Sequence, residues 1–114
     1  MFGGITVHGS KQGKELGFPT ANLECRPKDV KIKEGIYAAY AILNNNKYKA
    51  GLVVRLLPFK VEVYLIDYSG RDFYGSYLEV EPIQKVSELE KYETMEELSQ
   101  KIKVDLKIIE NFFS

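Results

Sequence analysis

The sequence predicts an all-β domain closed by one C-terminal helix, and three observations carry that expectation. Five or six short runs rich in β-branched and aromatic residues are separated by turn-forming residues, a spacing that suits hairpins. The last twenty residues change to a three-and-four periodicity, which is that of a helix. The chain has 114 residues, enough for one domain (residues 1–114) with its own core and too few for two. Short antiparallel strands with one helix to cover them argue for a small barrel, although an open sheet satisfies the same pattern.

Residues 2–8 (Phe-Gly-Gly-Ile-Thr-Val-His) alternate enough for a first strand, and their glycine pair signals a bend or a close backbone approach. Residues 9–16 form a loop whose glycines free backbone amides and whose Lys11 and Lys14 add cations, as a phosphate-binding turn requires. The Walker pattern is absent, and lysines in a loop are ordinarily just solvated. Residues 24–35 are polar, carry Pro27 and Gly35, and read as a long loop able to act as a flap. Ile36–Leu43 is apolar and rich in β-formers, so it predicts a central strand. Asn44-Asn45-Asn46 is the turn into a partner strand over Tyr48–Val54. Lys60–Asp67 is the next strand, with Val61, Val63 and Leu65 on one face and Glu62, Tyr64 and Ile66 on the other. After a turn at 68–72, Phe73-Tyr74-Gly75 opens a last strand that runs to Pro82. Thr94 and Glu97 form a capping box. From there Met95, Leu98, Ile102, Leu106, Ile109 and Phe113 draw one apolar stripe, which a covering role for the helix accounts for.

Sixteen basic and sixteen acidic residues cancel, which gives no reason to expect a nucleic-acid or membrane-surface partner. The single cysteine, Cys25, has no partner for an internal disulfide and fits a reducing, cytoplasmic setting. Beside Arg26 its thiol is open to mild activation, but an inert thiol is the plainer expectation. No apolar run approaches the length needed to span a membrane.

Gly17-Phe18-Pro19-Thr20-Ala21-Asn22-Leu23 holds the strongest local signal. Pro19 fixes its own φ and pushes Phe18 away from the helical region, so the segment runs extended. Residues two apart then share a side, which sets the Thr20 hydroxyl beside the Asn22 amide oxygen. Two neutral hard oxygens make a partial Mg²⁺ site, suited to an ion that arrives already bound to a nucleotide. On spacing alone, Thr and Asn in a turn bonded to nearby backbone satisfy the same residues.

Residues 4–23 resemble the opening of the ATP-dependent riboflavin kinase (flavokinase) domain, in which His-Gly, Gly-Arg or Gly-Lys, and Leu-Gly-Phe-Pro-Thr-Ala-Asn follow in order. Here these are His8-Gly9, Gly13-Lys14 and Leu16 to Asn22. Gly35-Ile36-Tyr37-Ala38 is similar to the family's Gly-Val-Tyr-Ala. Val61 to Asp67 followed by Asp72-Phe73-Tyr74-Gly75 again resembles its pattern. The resemblance implies a six-stranded antiparallel Greek-key barrel with a C-terminal helix. It implies transfer of the ATP γ-phosphoryl group to the 5′-hydroxyl of riboflavin, with ATP and riboflavin as substrates and Mg²⁺ as the metal. It further implies His8, Gly9, Lys14 and Thr20 on the nucleotide side, Thr20 and Asn22 on the metal, and Glu62 as catalytic base. Flavin-contacting residues are not assigned.

Two regions depart from the family. Between the strands before Glu62 the family carries Asn-Ile-Gly and Pro-Thr-Phe, whereas residues 51–60 retain only Pro58-Phe59 in a shortened connection. Near Ser87 the family's Ile-Arg-x-Glu lacks its arginine here, although Lys91-Tyr92 matches the following Lys-Phe. Both regions serve the flavin side, so an alternative is a weakly active or inactive barrel that binds nucleotide or flavin. In bacteria the domain commonly follows an adenylyltransferase that makes FAD. No such domain fits in these residues, so FAD synthesis is not expected here, and whether a separate adenylyltransferase partner supplies it is left open.

Overall fold

A computed structural model describes residues 1–8, 20–68, 73–89 and 94–114. The loop expected at 9–16, Gly9 and Lys14 within it, and the turn residues 69–72 lie outside the described residues. Six strands are present: β1 (Phe2–His8), β2 (Thr20–Glu24), β3 (Gly35–Leu43), β4 (Asn46–Leu56), β5 (Phe59–Leu65) and β6 (Tyr77–Ser87). They close an antiparallel barrel in the order β1-β2-β5-β4-β3-β6. Strands β3, β4 and β5 follow one another as hairpins, while β2 reaches β3 by a long connection yet lies beside β5, which is a Greek key. The helix α1 (Met95–Phe112) packs on the outside. The barrel, left open against a flat sheet by the strand pattern, is therefore closed.

Local chemistry explains most of the turns. Asn44 and Asn45 hold φ of 51° and 68°, the left-handed conformation that asparagine tolerates, and Leu43 pairs directly with Asn46 across the hairpin. A two-residue loop with positive φ at both positions matches the twist of the strands it joins. The β4–β5 hairpin is equally tight, with Leu56 paired to Phe59. Thr94 caps α1 by accepting a hydrogen bond from the Glu97 amide at 3.1 Å, as the sequence predicts.

The glycine pair in β1 marks the close approach expected of it. Residues 2–5 pair with β6, and residues 5–8 pair with β2. At the changeover a side chain on Gly4 would overlap the Glu24 carbonyl of β2. The closure of the barrel thus depends on a position with no Cβ.

Two expectations are corrected. Phe73-Tyr74-Gly75 is a turn and does not open a strand; β6 starts at Tyr77. Gly75 has φ of 84°, and β1 pins the turn through Gly75 N–H to Thr6 carbonyl at 2.7 Å and Thr6 Oγ1 to the Phe73 carbonyl. At its far end β6 passes through Pro82 to Ser87. A register shift between Ala39↔Pro82 and Ala38↔Gln84 accommodates the proline, because a bulge removes the need for its missing N–H.

The segment after β2 is anchored rather than loose. A single 3-10 turn spans Pro27–Asp29, Val30 is buried in the barrel core, and Tyr37 donates its hydroxyl to the Lys33 carbonyl at 2.6 Å.

Inside the barrel lie Ala21, Leu23, Ala39, Ala41, Leu52, Val54, Val61, Val63, Leu65, Leu78 and Val80, among others. A second apolar cluster forms outside it, where Leu106 and Ile109 of α1 sit on Ile36, Ala38 and Tyr64. Of the apolar stripe expected on α1, these two are buried and Phe113 half-buried; the side chains of Met95, Leu98 and Ile102 lie outside the described set. Gly51, the register partner of both Ala38 and Tyr64, leaves the room those helix side chains enter. Lys101 fastens the helix further: its ammonium donates to Ser87 Oγ of β6 at 2.6 Å and pairs at 3.0 Å with Asp105, which is buried.

Gly4→Ala should destabilise the domain by about 3 kcal/mol or prevent folding, because backbone atoms, not a flexible side chain, occupy the space. Urea denaturation followed by far-UV circular dichroism measures this; a variant as stable as the parent would show that β1 can move aside.

Candidate active site on the outer face of strands two and five

β2 alternates, and its inward residues Ala21 and Leu23 belong to the barrel core. Thr20 and Asn22 therefore share the outer face. On β5 the same rule sends Val61, Val63 and Leu65 inward and Glu62 and Tyr64 outward. The two strands pair with Thr20 opposite Tyr64 and Asn22 opposite Glu62. Directly opposed residues in an antiparallel pair have Cα atoms about 4.5–5.5 Å apart and side chains on one face. The Thr-x-Asn pair and the glutamate, forty residues apart in sequence, thus form one four-residue patch with Tyr64.

This patch is sheltered. Thr20 is buried and Glu62 is only 9% exposed, so the outward glutamate is not the solvated residue its strand position alone suggests. The Thr20 hydroxyl oxygen is screened from solvent and has no hydrogen-bond partner among the described residues. The Asn22 amide oxygen is screened as well. A buried hydroxyl without a partner costs about 1–3 kcal/mol, so this oxygen is open to bonding by a ligand, an ion or a water. The donor set is two neutral oxygens, which fits a hard cation already carrying phosphate and water oxygens. Among the described residues no cluster of three or more His, Cys, Asp or Glu side chains could hold a metal alone.

Glu62 is held at both carboxylate oxygens. Tyr64 donates its hydroxyl to Oε2 at 3.3 Å, and the Lys60 ammonium lies 3.3 Å from Oε1. Lys60, Glu62 and Tyr64 are successive outward residues of β5, so one strand supplies the carboxylate and these two supports. Thr20 is fixed through its backbone, since Tyr74 donates its hydroxyl to the Thr20 carbonyl at 2.9 Å. Tyr74 itself stacks on Phe73, which meets Tyr68 edge to face, and Tyr68 meets Tyr48 in the same way. The turn pinned to β1 thereby also braces the start of β2.

Of the residues singled out by sequence, Thr20, Asn22 and Glu62 come together. The backbone of His8 ends β1, opposite Ala21, one residue from that patch in the register. Gly9 and Lys14 lie outside the described residues. Tyr64 and Tyr74 were missed as site residues. Tyr64 had a signal, since it shares the alternation of Glu62; Tyr74 had only its place in the Asp72-Phe73-Tyr74-Gly75 match, because its contact crosses 54 residues.

Cys25 is half-buried. Burial, and secondarily the Asp29 carboxylate, push its thiol above the ordinary range. Arg26 gives it no activation, because its guanidinium pairs with Asp29 at 3.0 Å.

A closed six-stranded barrel with a sheltered polar patch outside it and one packed helix defines a riboflavin kinase-like fold. The chain belongs to the riboflavin kinase (flavokinase) family, whose model matches residues 1–113. It is 27% identical over 99% of its length to a protein of Bacillus subtilis named RNA-binding riboflavin kinase RibR, of which it covers 51%. It is 30% identical over 97% of its length to the bifunctional riboflavin kinase/FMN adenylyltransferase of Haemophilus influenzae, of which it covers 38%. The chain thus spans about half or less of the curated relatives it matches. The first of these names ascribes RNA binding to that relative. Among solved structures, riboflavin kinase from Trypanosoma brucei superposes with a TM-score of 0.69 at 19% identity, covering 97% of this chain and 74% of that one. A structure titled as a macrolide-efflux protein from Streptococcus pneumoniae superposes with a TM-score of 0.77 at 25% identity, covering 96% and 38%. Among the described residues no helix is long and apolar enough to cross a membrane.

Because the raised thiol is mostly protonated near neutral pH, Cys25 should alkylate with iodoacetamide more slowly than free cysteine at pH 7.5. The rate should rise as pH increases through the thiol's elevated range. Mass spectrometry over a pH series follows this; a rate above that of free cysteine at pH 7.5 would contradict the burial argument.

Proposed function

We propose that this domain transfers the γ-phosphoryl group of ATP to the 5′-hydroxyl of riboflavin, giving FMN and ADP. The observation that carries the reading is the β2–β5 register, which sets Asn22 opposite Glu62 beside a buried Thr20 hydroxyl that has no hydrogen-bond partner among the described residues. Family membership and the named relatives support it.

Phosphoryl transfer asks the protein for positioning and charge stabilisation more than for covalent chemistry. Thr20 and Asn22 would hold Mg²⁺, which when bound neutralises charge on the nucleotide phosphates. Glu62 orients the riboflavin hydroxyl and accepts its proton as the oxygen attacks phosphorus. Shelter from solvent strengthens both contributions, since electrostatic interactions grow as water is excluded. The amides and lysines of residues 9–16 and the end of β1 at His8 form the nucleotide side, by family resemblance. The bifunctional relatives are also named FMN adenylyltransferases, so a separate adenylyltransferase acting on FMN is a candidate partner. The lone cysteine and the family support a cytoplasmic setting, with small molecules as partners.

A second reading, a barrel that binds nucleotide or flavin with little turnover, is favoured by one feature. β4 and β5 stay paired down to Leu56↔Phe59, so the longer family connection on the flavin side has no counterpart. Incubation with riboflavin and Mg-ATP, with FMN resolved by chromatography, decides between the two. FMN formation is the expected result; ligand binding without FMN supports the second reading.

Two sets of variants test the assignments. Thr20→Ala or Asn22→Ala should abolish turnover and weaken binding of Mg-nucleotide far more than that of metal-free nucleotide, as read by calorimetry. Equal nucleotide binding with and without Mg²⁺ in the parent would remove the metal role. Glu62→Gln keeps shape but loses the carboxylate, so kcat should fall on the order of 10²–10⁴-fold at nearly constant KM. A Glu62→Gln variant as active as the parent would move the base elsewhere.

A further inference from the structure

Tyr64 joins two parts of the molecule that otherwise have no reason to communicate. Its ring is 1% exposed and lies in the outer apolar cluster with Leu106 and Ile109 of α1 and with Ile36 and Ala38 of β3. Its hydroxyl leaves that cluster and donates to Glu62 Oε2 at 3.3 Å. Gly51, opposite Tyr64 in the β4–β5 register, has no side chain; a Cβ there would lie 2.9 Å from Leu106 Cδ2 and 3.2 Å from Ile109 Cδ1. The absent side chain lets the helix descend onto the sheet beside the tyrosine, so the ring has little freedom.

A phenylalanine would fill the same apolar space. What tyrosine adds is a hydrogen-bond donor aimed at one carboxylate oxygen of a residue that must present a lone pair in a defined direction. Lys60 holds the other oxygen, but it sits toward the exposed end of the strand and its long side chain is 39% exposed. A buried phenol is the stiffer support, because its rotamer is fixed by packing while an exposed ammonium retains its freedom.

We propose that Tyr64 is a positioning residue for phosphoryl transfer, orienting the Glu62 carboxylate through its buried hydroxyl, with α1 setting the position of the tyrosine. The helix then contributes to the chemistry without touching substrate. This rests on Glu62 being the base, so the experiment separates failure of one assignment from failure of the other.

Tyr64→Phe, Glu62→Gln and the double variant are compared in single-turnover assays with radiolabelled ATP, alongside affinities and thermal melting. A hydrogen bond to a charged group supports a loss of about tenfold or more when it is removed. Tyr64→Phe should therefore lower kcat by about tenfold or more, with KM for both substrates and the melting temperature little changed. In the Glu62→Gln background the same change should have less than about a twofold effect, since the carboxylate it acts on is gone. A tyrosine that merely packs would instead lower both backgrounds equally, or change affinity and melting together, and either result overturns the proposal. Impaired Glu62→Gln with unimpaired Tyr64→Phe overturns it while leaving the base assignment standing. If Glu62→Gln turnover is too low to measure, the split between kcat and KM in Tyr64→Phe decides. Ligand-free crystal structures give a readout independent of activity. The Glu62 carboxylate should hold one orientation in the parent and spread over several in Tyr64→Phe; one shared orientation in both overturns the proposal.

Discussion

The pairing of β2 with β5 is the constraint on which the site depends. Each strand commits alternate residues to the barrel core, Ala21 and Leu23 on one and Val61, Val63 and Leu65 on the other. A slip of one residue would carry those side chains to the outside and bring Thr20, Asn22 and Glu62 into the apolar interior, a change that burial forbids. Register is therefore held by hydrophobic burial, and the polar patch inherits its precision from residues that take no part in chemistry. No salt bridge or metal is needed to bring Asn22 opposite Glu62.

That pairing itself requires the Greek-key path. β2 can lie beside β5 only because the 25–34 connection carries the chain away, β3, β4 and β5 return as hairpins, and β1 closes against both β2 and β6. Closure leaves no free strand edge and makes the β2–β5 pair an interior one. Gly4 matters to the site for this reason, although it lies at the changeover in β1, well before His8. The pinned turn at Phe73–Ser76 serves the same end, with Thr6 holding it to β1 and Tyr74 reaching across to the carbonyl of Thr20.

Much of this was legible where the signal is local. The asparagine turn, the Thr94 cap, the alternation of β5 and the apolar run of β3 follow from backbone preference and side-chain period, and the structure reproduces them. Phe73-Tyr74-Gly75 misled because aromatic residues favour strands, while the hydrogen bonds that make it a turn come from Thr6, sixty-seven residues away. Pro82 misled because a proline ordinarily ends a strand, and the bulge that admits it exists only when β6 pairs with β3. Closure, register and the neighbourhood of Glu62 are all non-local, so strand periodicity contains none of them; the six-stranded barrel was expected from the family resemblance and is what the structure shows. The Thr-x-Asn spacing predicted side-by-side oxygens; only the fold adds the carboxylate.

The covering helix changes how that carboxylate is understood. On a barrel without α1, the ring of Tyr64 would face solvent, and its hydroxyl would be a poorly fixed support for Glu62. With α1 docked on Ala38, Gly51 and Tyr64, the tyrosine is buried and the glutamate beside it is nearly so. The apolar stripe that identifies α1 in the sequence is accounted for by burial alone, yet the surface it buries includes the ring whose hydroxyl reaches Glu62. Packing on one side of β5 and polar chemistry a single pleat further along are therefore linked through one side chain. The small residues at 38 and 51 are what bring the helix close enough for that link to exist.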